Sequence, residues 1–224
     1  MTAYKTPEFH PAFEEYCEAI FELQEDDVEV IQARIAERLE VSRPAVSEMI
    51  RRMSTEGLVE VDKTIRLTKD GLALATTVVR RHRLAERFLT DVLDLSWAAA
   101  HQEAGKWEHV ISPEVEAALD RILGQPTTCP HGNPIPGSSY EADPTTITLE
   151  DVAVGETFTV RRITEELEFA DGLLEFLEDA SVLPGTEGKV TSLSPDGTAT
   201  VEIEGRHVGI GSFISQRIQV TPLG

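Results

Sequence analysis

The sequence predicts a mainly α protein with a small β domain at its C-terminal end, and three observations carry that prediction. Apolar residues recur at helical spacing through most of the stretch from Glu14 to Leu123. Two short alternating segments, LVEV and IRLT, interrupt the helical stretch once, directly after Gly57. Beyond a proline- and glycine-rich segment from Gly124 to Asp143, alternation with a period of two takes over.

The first helix is predicted over Glu14 to Gln24, where Tyr16, Ala19, Ile20 and Leu23 share a face. Two further stripes follow in VIQARIAERLEVSRPAVSEMIRRMSTEGL, and the break between them is specific. Ser42 is suited to cap the second helix, and Pro44 fits its first turn because the missing N–H has no partner to lose there. Ile35, Ala36 and Leu39 then pack against Val46, Met49, Ile50 and Met53, a helix-turn-helix. With LVEV and IRLT folding as a hairpin around Asp62, Lys63 and Thr64, the N-terminal part reads as a winged helix. Helix pairs joined by a turn also occur in proteins that never touch DNA.

A long helix is predicted from Lys69 to Leu93, a second from Ser96 to Val110 and a third from Pro113 to Leu123. Gly124 to Asp143 is a linker or an ordered loop, and the C-terminal residues form strands of a small β-barrel with one helix-like piece, ADGLLEFLEDA. The expected domains are 1–72, winged helix-turn-helix; 73–140, helical with the Pro/Gly-rich linker; and 141–224, the β domain.

At 224 residues and 41% hydrophobic content the chain has material for at least one real core. It lacks both an apolar run long enough to span a bilayer and a basic-then-apolar leader, so the expected location is the cytoplasm, without membrane contact. Cys17 and Cys129, the only cysteines, are read as reduced structural residues. A net charge of −20 argues, taken alone, against nucleic acid as a partner, because phosphate binding draws on cationic side chains. The distribution modifies this: residues 124–224 hold 5 basic and 16 acidic side chains, whereas residues 41–69 hold 6 basic and 4 acidic ones.

HQEAGKWEHV, residues 101–110, raises a metal question. At about 100° and 1.5 Å per residue, His101, Gly105 and Glu108 fall within roughly 60° of one another, but Glu108 lies about 10 Å along the axis from His101. One ion with bonds near 2 Å cannot take both, so any metal binding here needs two sites. His82 and Glu86, at i and i+4 in RRHRLAER, are partners for His101; Glu15 and Glu18 on the first helix are partners for Glu108 and His109. Oxygen and nitrogen donors suit Mn(II), Fe(II) or Zn(II). The competing reading is a set of solvated charges with one core histidine. Cys129 and His131 have a spacing that fits zinc, but two ligands are little to build on; His10, His131 and His207 are otherwise assigned to terminus, loop and strand edge, and Trp97 and Trp107 to core contacts.

Winged helix, HRLAERFL, HQEAGKWEHV, PTTCPHGNPIPG and a terminal small barrel, in this order, resemble the diphtheria toxin repressor family, which includes iron-dependent and manganese transport regulators. The likeness runs over nearly the whole chain and is strongest from Ala33 to Gly137. It implies a homodimer that represses from palindromic operator DNA when loaded with divalent metal, a helical dimerisation domain with two metal sites and an SH3-like terminal domain. By the same resemblance His82, Glu86 and His101 belong to an ancillary site, and Glu108 and His109 to a primary site to which Glu15 and Glu18 contribute. Gly105 stands where relatives carry Cys or Glu, and offers only a carbonyl. Asp171 is the expected ligand from the SH3-like domain, with Glu168 and Glu175 as neighbours. Carboxylates in place of Met and Cys favour Mn(II), with Fe(II) as the alternative; Co(II), Ni(II) or Zn(II) are expected to bind more tightly in vitro.

On that reading Ser42, Arg43, Pro44, Ala45, Ser47 and Glu48 face base edges, and Arg51, Arg52, Lys63 and Arg66 hold phosphates. A His/Glu metalloenzyme and a metal-independent adaptor are the competing classes; the first leaves the winged helix unexplained, and the second lacks groove aromatics.

Overall fold

The computed structural model describes residues 11–223. His10, placed by the sequence in a mobile N-terminus, lies outside them. The chain divides into two compact units: one reaches to His82 and includes Lys106–Ile111, and the other holds Arg83–Gly105 and Ser112 onward.

The first unit contains α1 (Pro11–Glu25), α2 (Gln32–Arg38), α3 (Arg43–Thr55), β1 (Val59–Val61), β2 (Ile65–Leu67) and the first half of α4 (Lys69–Asp91). The predicted cap is present: Ser42 Oγ accepts from the Ala45 N–H at 3.4 Å, with Pro44 inside the first turn. Val46, Ile50 and Met53 point inward from α3 onto Ile20 of α1, Ile35 of α2 and Leu58, all essentially without exposure. Each such side chain contributes roughly 1.5–3 kcal/mol by leaving water, which orients α3 by its apolar face and leaves the other face outward. The wing is an antiparallel hairpin in which Val59 pairs Leu67 and Val61 pairs Ile65.

The second unit contains the rest of α4, α5 (Trp97–Trp107) to Gly105, α6 (Pro113–Ile122) and the β domain. Helix α5 stops three residues short of its predicted end, and Glu108–Val110 form a turn. Ser112 explains the early stop, because it precedes Pro113, takes an extended conformation and caps α6 through its Oγ to the Val115 N–H at 3.3 Å. Helix α4 likewise ends at Asp91, before Asp94 turns the chain at φ 59°.

The β domain is a six-stranded antiparallel sheet in the order β3-β8-β4-β5-β6-β7, formed by Ile147–Thr148, Thr157–Ile163, Glu187–Leu193, Ala199–Ile203, Arg206–Ile210 and Ile218–Leu223. Register shifts after Val160 and Val190 mark irregularities of the kind that bend a strand, and the sheet encloses Phe158, Val160, Ile163, Val201 and Val220. ADGLLEFLEDA holds the helix α8 (Leu173–Asp179), followed later by the short α9 (Ser212–Ser215). A further short helix, α7 (Glu165–Glu168), follows β4 where the sequence reads as the end of a strand. Gly124 to Asp143 is an ordered loop rather than a linker: Cys129, His131, Asn133 and Ile135 are buried.

Candidate functional site

The first group of donor side chains lies within the first unit. Glu14, Glu15 and Glu18 come from α1, His82 from α4, and Glu108 and His109 from the turn after α5. Ending α5 at Trp107 matters here, because a turn frees Glu108 and His109 from helical spacing and lets both face α1. His109 Nδ1 lies 2.7 Å from Glu14 Oε2, and its Nε2 lies 2.9 Å from Glu15 Oε1 and 3.2 Å from Glu108 Oε1. The other Glu108 oxygen, Oε2, lies 2.5 Å from His82 Nδ1. Two triads therefore share Glu108: Glu15, Glu108 and His109 bring one donor atom each within 4.8 Å, and so do Glu18, His82 and Glu108.

The carboxylates of this group need charge compensation, which a cation or protons can supply. Glu18 is pushed well above the ordinary carboxylate range by burial and then by the charges of Glu108 and Glu22. Burial pulls His109 down, but its hydrogen bonds to Glu14 and Glu15 outweigh this and raise it to about 10. Packed carboxylates in a poorly hydrated space are compensated by a divalent ion or by protons, and Glu18 illustrates the second solution. The pairing of His109 is the one metal-ligating histidines use, with one ring nitrogen held by a carboxylate and the other facing the donors.

The second group lies within the second unit. Glu86 from α4, His101 from α5, Cys129 and His131 from the ordered loop and Glu168 from α7 converge. His101 Nδ1 stands 2.9 Å from Glu86 Oε1 and 3.2 Å from Glu168 Oε2; His131 Nδ1 stands 2.9 Å from Glu168 Oε2. The Cys129 Sγ is 3.8 Å from His131 Nδ1, and Glu86, Cys129 and His131 bring donor atoms within 4.8 Å of one another. Asn133 fixes the Glu168 carboxylate by donating from Nδ2 to Oε1 at 2.6 Å, and its own Oδ1 accepts from Arg162.

A buried metal fits this second group, because His131 Nε2 is buried without a hydrogen-bond partner among the described residues. Such an atom costs free energy unless a partner is supplied. Burial and the neighbouring Glu86 and Glu168 push the Cys129 thiol well up, so it stays protonated, and a cation held there would have to displace that proton. Burial lowers His101, but Glu168 and Glu86 raise it to about 10. The loop reaches this position through Gly132, whose φ is +91° and whose missing Cβ would sit 2.2 Å from the Arg161 carbonyl oxygen. The Ile163 N–H donates to the His131 carbonyl at 2.8 Å and holds the loop to β4.

The predicted site residues are thus distributed as follows. Glu15, Glu18, Glu108 and His109 come together as expected, and His82 lies with them against Glu108. Glu86 and His101 come together as expected. The acidic residue of the β domain at His101 is Glu168; Asp171 is exposed, beyond the end of α7. Cys129 and His131, set aside in the sequence as too few ligands, are brought together with Glu86. Gly105 sits in α5 with nothing within 4 Å of where a Cβ would stand. Sequence reasoning missed Glu14, which orients His109, and set His131 aside after weighing it with Cys129; the proximity of Glu14 to Glu15 and the CPHG segment were the available signals. Trp97 is buried edge-on to His131, with ring centroids 4.6 Å apart, while Trp107 is half-buried and His207 lies exposed within β7.

On the winged helix, Ser42, Arg43, Pro44, Ala45, Ser47, Glu48, Arg51, Arg52, Lys63 and Arg66 are all exposed. The Arg52 guanidinium lies 5.4 Å over the Phe13 ring, and Arg51 forks onto Glu48. Among the described residues no helix is long and apolar enough to cross a membrane.

Comparison with known proteins identifies the family. Residues 8–72 match the iron dependent repressor N-terminal DNA binding domain, residues 68–137 the iron dependent repressor metal binding and dimerisation domain, and residues 147–222 the FeoA domain. The chain is 41% identical over 204 residues to the iron-dependent repressor IdeR of Mycobacterium tuberculosis, covering 86% of this chain and 88% of that protein. It is 38% identical over 221 residues to the diphtheria toxin repressor of Corynebacterium diphtheriae, covering 94% and 96%. Among solved structures, a manganese-dependent transcriptional repressor in complex with manganese superposes with a TM-score of 0.83 at 33% identity, covering 94% of this chain and all of the other. The repressor IdeR of T. acidophilum gives 0.76 at 28%, covering 97% and 99%. A metalloenzyme is thereby set aside: the chain belongs to the iron-dependent repressor family, the metal-dependent transcriptional repressors of the diphtheria toxin repressor type.

Proposed function

We propose that this chain represses transcription as a homodimer on palindromic operator DNA, in the cytoplasm, and that Mn(II) held by Glu15, Glu18, His82, Glu108 and His109 switches it on. One observation carries the reading: Glu15 and Glu18 belong to α1 of the winged helix, whereas Glu108, shared by both triads, comes from the turn after α5. A cation supplies positive charge that ties these carboxylates together, and so favours one setting of the reading head over others. This chain's own residues do the rest. Glu14 holds the His109 ring through Nδ1, and His82 holds the second Glu108 oxygen. Without a cation the carboxylates repel, and the setting loosens.

The preference for Mn(II) rests on the oxygen and nitrogen donors of this group. Fe(II) is the second reading, favoured by the Cys129 thiol in the other group, which with Glu86, His101, His131 and Glu168 would hold a further ion. Exposed Val115 and Ile122 on α6 support the homodimer, as apolar side chains a second copy would cover. The exposed first turn of α3 supports base reading by Ser42, Arg43, Pro44, Ala45, Ser47 and Glu48, with Arg52, Lys63 and Arg66 on phosphates.

Gel-shift titration of promoter DNA with Mn(II), with Fe(II) under anaerobic conditions and after chelation tests the reading. Binding that requires Mn(II) and is lost in a Glu15→Ala, His109→Ala double variant is expected. Affinity indifferent to chelation overturns it.

A further inference from the structure

Glu48 is anomalous for a residue on the outward side of a DNA-reading helix, because an acidic group there faces a polyanion. Its setting resolves the anomaly. At about 100° per residue, Pro44, Glu48, Arg51 and Thr55 lie within roughly 60° of one another. That strip is directly opposite the buried Val46, Ile50 and Met53, so it is the outermost line of α3. Glu48 and Arg51 occupy its middle, with side chains 59% and 70% exposed.

The two are joined by a two-pronged contact. Arg51 donates from Nε to Glu48 Oε2 at 3.2 Å and from Nη2 to Oε1 at 2.6 Å. A guanidinium has five N–H groups in a fixed plane, and this contact uses the Nε/Nη2 edge. The Nη1/Nη2 edge stays free, and its two parallel N–H groups match the O6 and N7 acceptors of guanine in the major groove. A phosphate would have to share the same guanidinium with the Glu48 carboxylate, two anions on one cation. The neutral acceptors of a base carry no such conflict. Pairing also restricts the Arg51 side chain before DNA arrives, which cuts the ordering cost of a bidentate contact. The pair is nearly neutral as a unit, so it adds little to sequence-independent attraction.

We propose that Glu48 and Arg51 form a single base-reading unit, in which Glu48 positions the Arg51 guanidinium to donate bidentately to a guanine and withholds it from phosphate. This assigns Arg51 to bases, where the sequence reading had it on phosphate. The proposal rests on α3 being the helix that enters the major groove.

The test uses the full-length chain saturated with Mn(II). A randomised double-stranded DNA library defines the preferred duplex, and affinities are then measured for that duplex, for single-base-pair variants of it and for non-specific duplex across a salt series. Glu48→Gln and Arg51→Ala are expected to cut discrimination at one and the same G·C pair at least tenfold, with no further loss in the double variant. Glu48→Gln should also tighten non-specific binding and steepen the slope of log affinity against log salt by about one, as a released arginine finds a phosphate. Both positions are exposed, and unchanged melting of the two variants checks that the fold is kept.

If Glu48→Gln strengthens specific and non-specific binding by the same factor, Glu48 is only a repelling charge and the unit does not exist. Should Arg43→Ala destroy selection while both variants keep it intact, α3 reads DNA without this pair. Selection that survives all three substitutions overturns the proposal, and if it also survives Ser42→Ala and Ser47→Ala with Ala45→Gly, the underlying reading of α3 falls with it.

Discussion

Glu108 Oε2 lies 2.5 Å from His82 Nδ1, so the carboxylate of a turn residue is tied to a histidine 26 positions earlier in the chain. Its other oxygen faces His109, which makes Glu108 common to both triads of the first group. Glu108→Gln keeps the shape and removes the charge. Isothermal titration with Mn(II) should show affinity reduced at least about 100-fold, the upper end of what loss of a supporting residue alone produces. Glu14→Gln should fall in the range of about 10- to 100-fold, because Glu14 orients His109 without belonging to either triad. Wild-type titrations from both variants would remove the first group as a metal site.

The β domain contributes Glu168 to the second group. Glu168→Gln is expected to lower the number of ions bound per chain or the affinity of the weaker one, read by equilibrium dialysis with metal analysis. Asp171→Asn, at an exposed position, should leave both unchanged. The reverse pattern would restore Asp171 as the ligand.

The two histidines raised to about 10, His101 and His109, predict opposite pH trends for the metal-free and metal-loaded chain. Their folded values lie above the unfolded value of about 6.5, so their contribution to metal-free stability is complete below about pH 6.5 and fades as pH rises toward 10. A ligating imidazole must be neutral, so metal affinity rises over the same range. Thermal melts from pH 6 to 9 should show the metal-free midpoint falling while the gain from added Mn(II) grows. Parallel, flat profiles would contradict both assignments.

Two glycines should respond in opposite directions. Gly105 lies inside α5 with open space at its Cβ position, so Gly105→Ala should stabilise the metal-free chain by roughly 0.5–1 kcal/mol. Gly132→Ala meets the Arg161 carbonyl at φ +91° and should destabilise by more than that, while loosening the His131 loop. Denaturant melts of both variants decide the matter.

Local signals carried a large part of the fold. The Ser42–Pro44 cap, the α3 apolar face, the hairpin after Gly57 and the period-two C-terminal region are short-range patterns that tertiary contacts did not override. Helix ends were less legible: α5 was expected to continue through Val110, because Glu108 and His109 fit helical spacing until the cap at Ser112 imposes a turn. The short α7 left no periodic trace at all, so nothing in the sequence favoured Glu168 over its neighbour Asp171.

The sequence by itself determined which residues have metal-binding chemistry and that one helix cannot serve a single ion, since residue type and axial rise are local properties. Only the tertiary structure decided the groupings: His82 against Glu108, His131 and Cys129 against Glu86, and Glu168 rather than Asp171 at His101. The physical reason is that ligand geometry is set over a few ångströms by turns, an ordered loop and a strand end. Their directions come from packing between segments distant in the chain, and no spacing rule within one segment contains them.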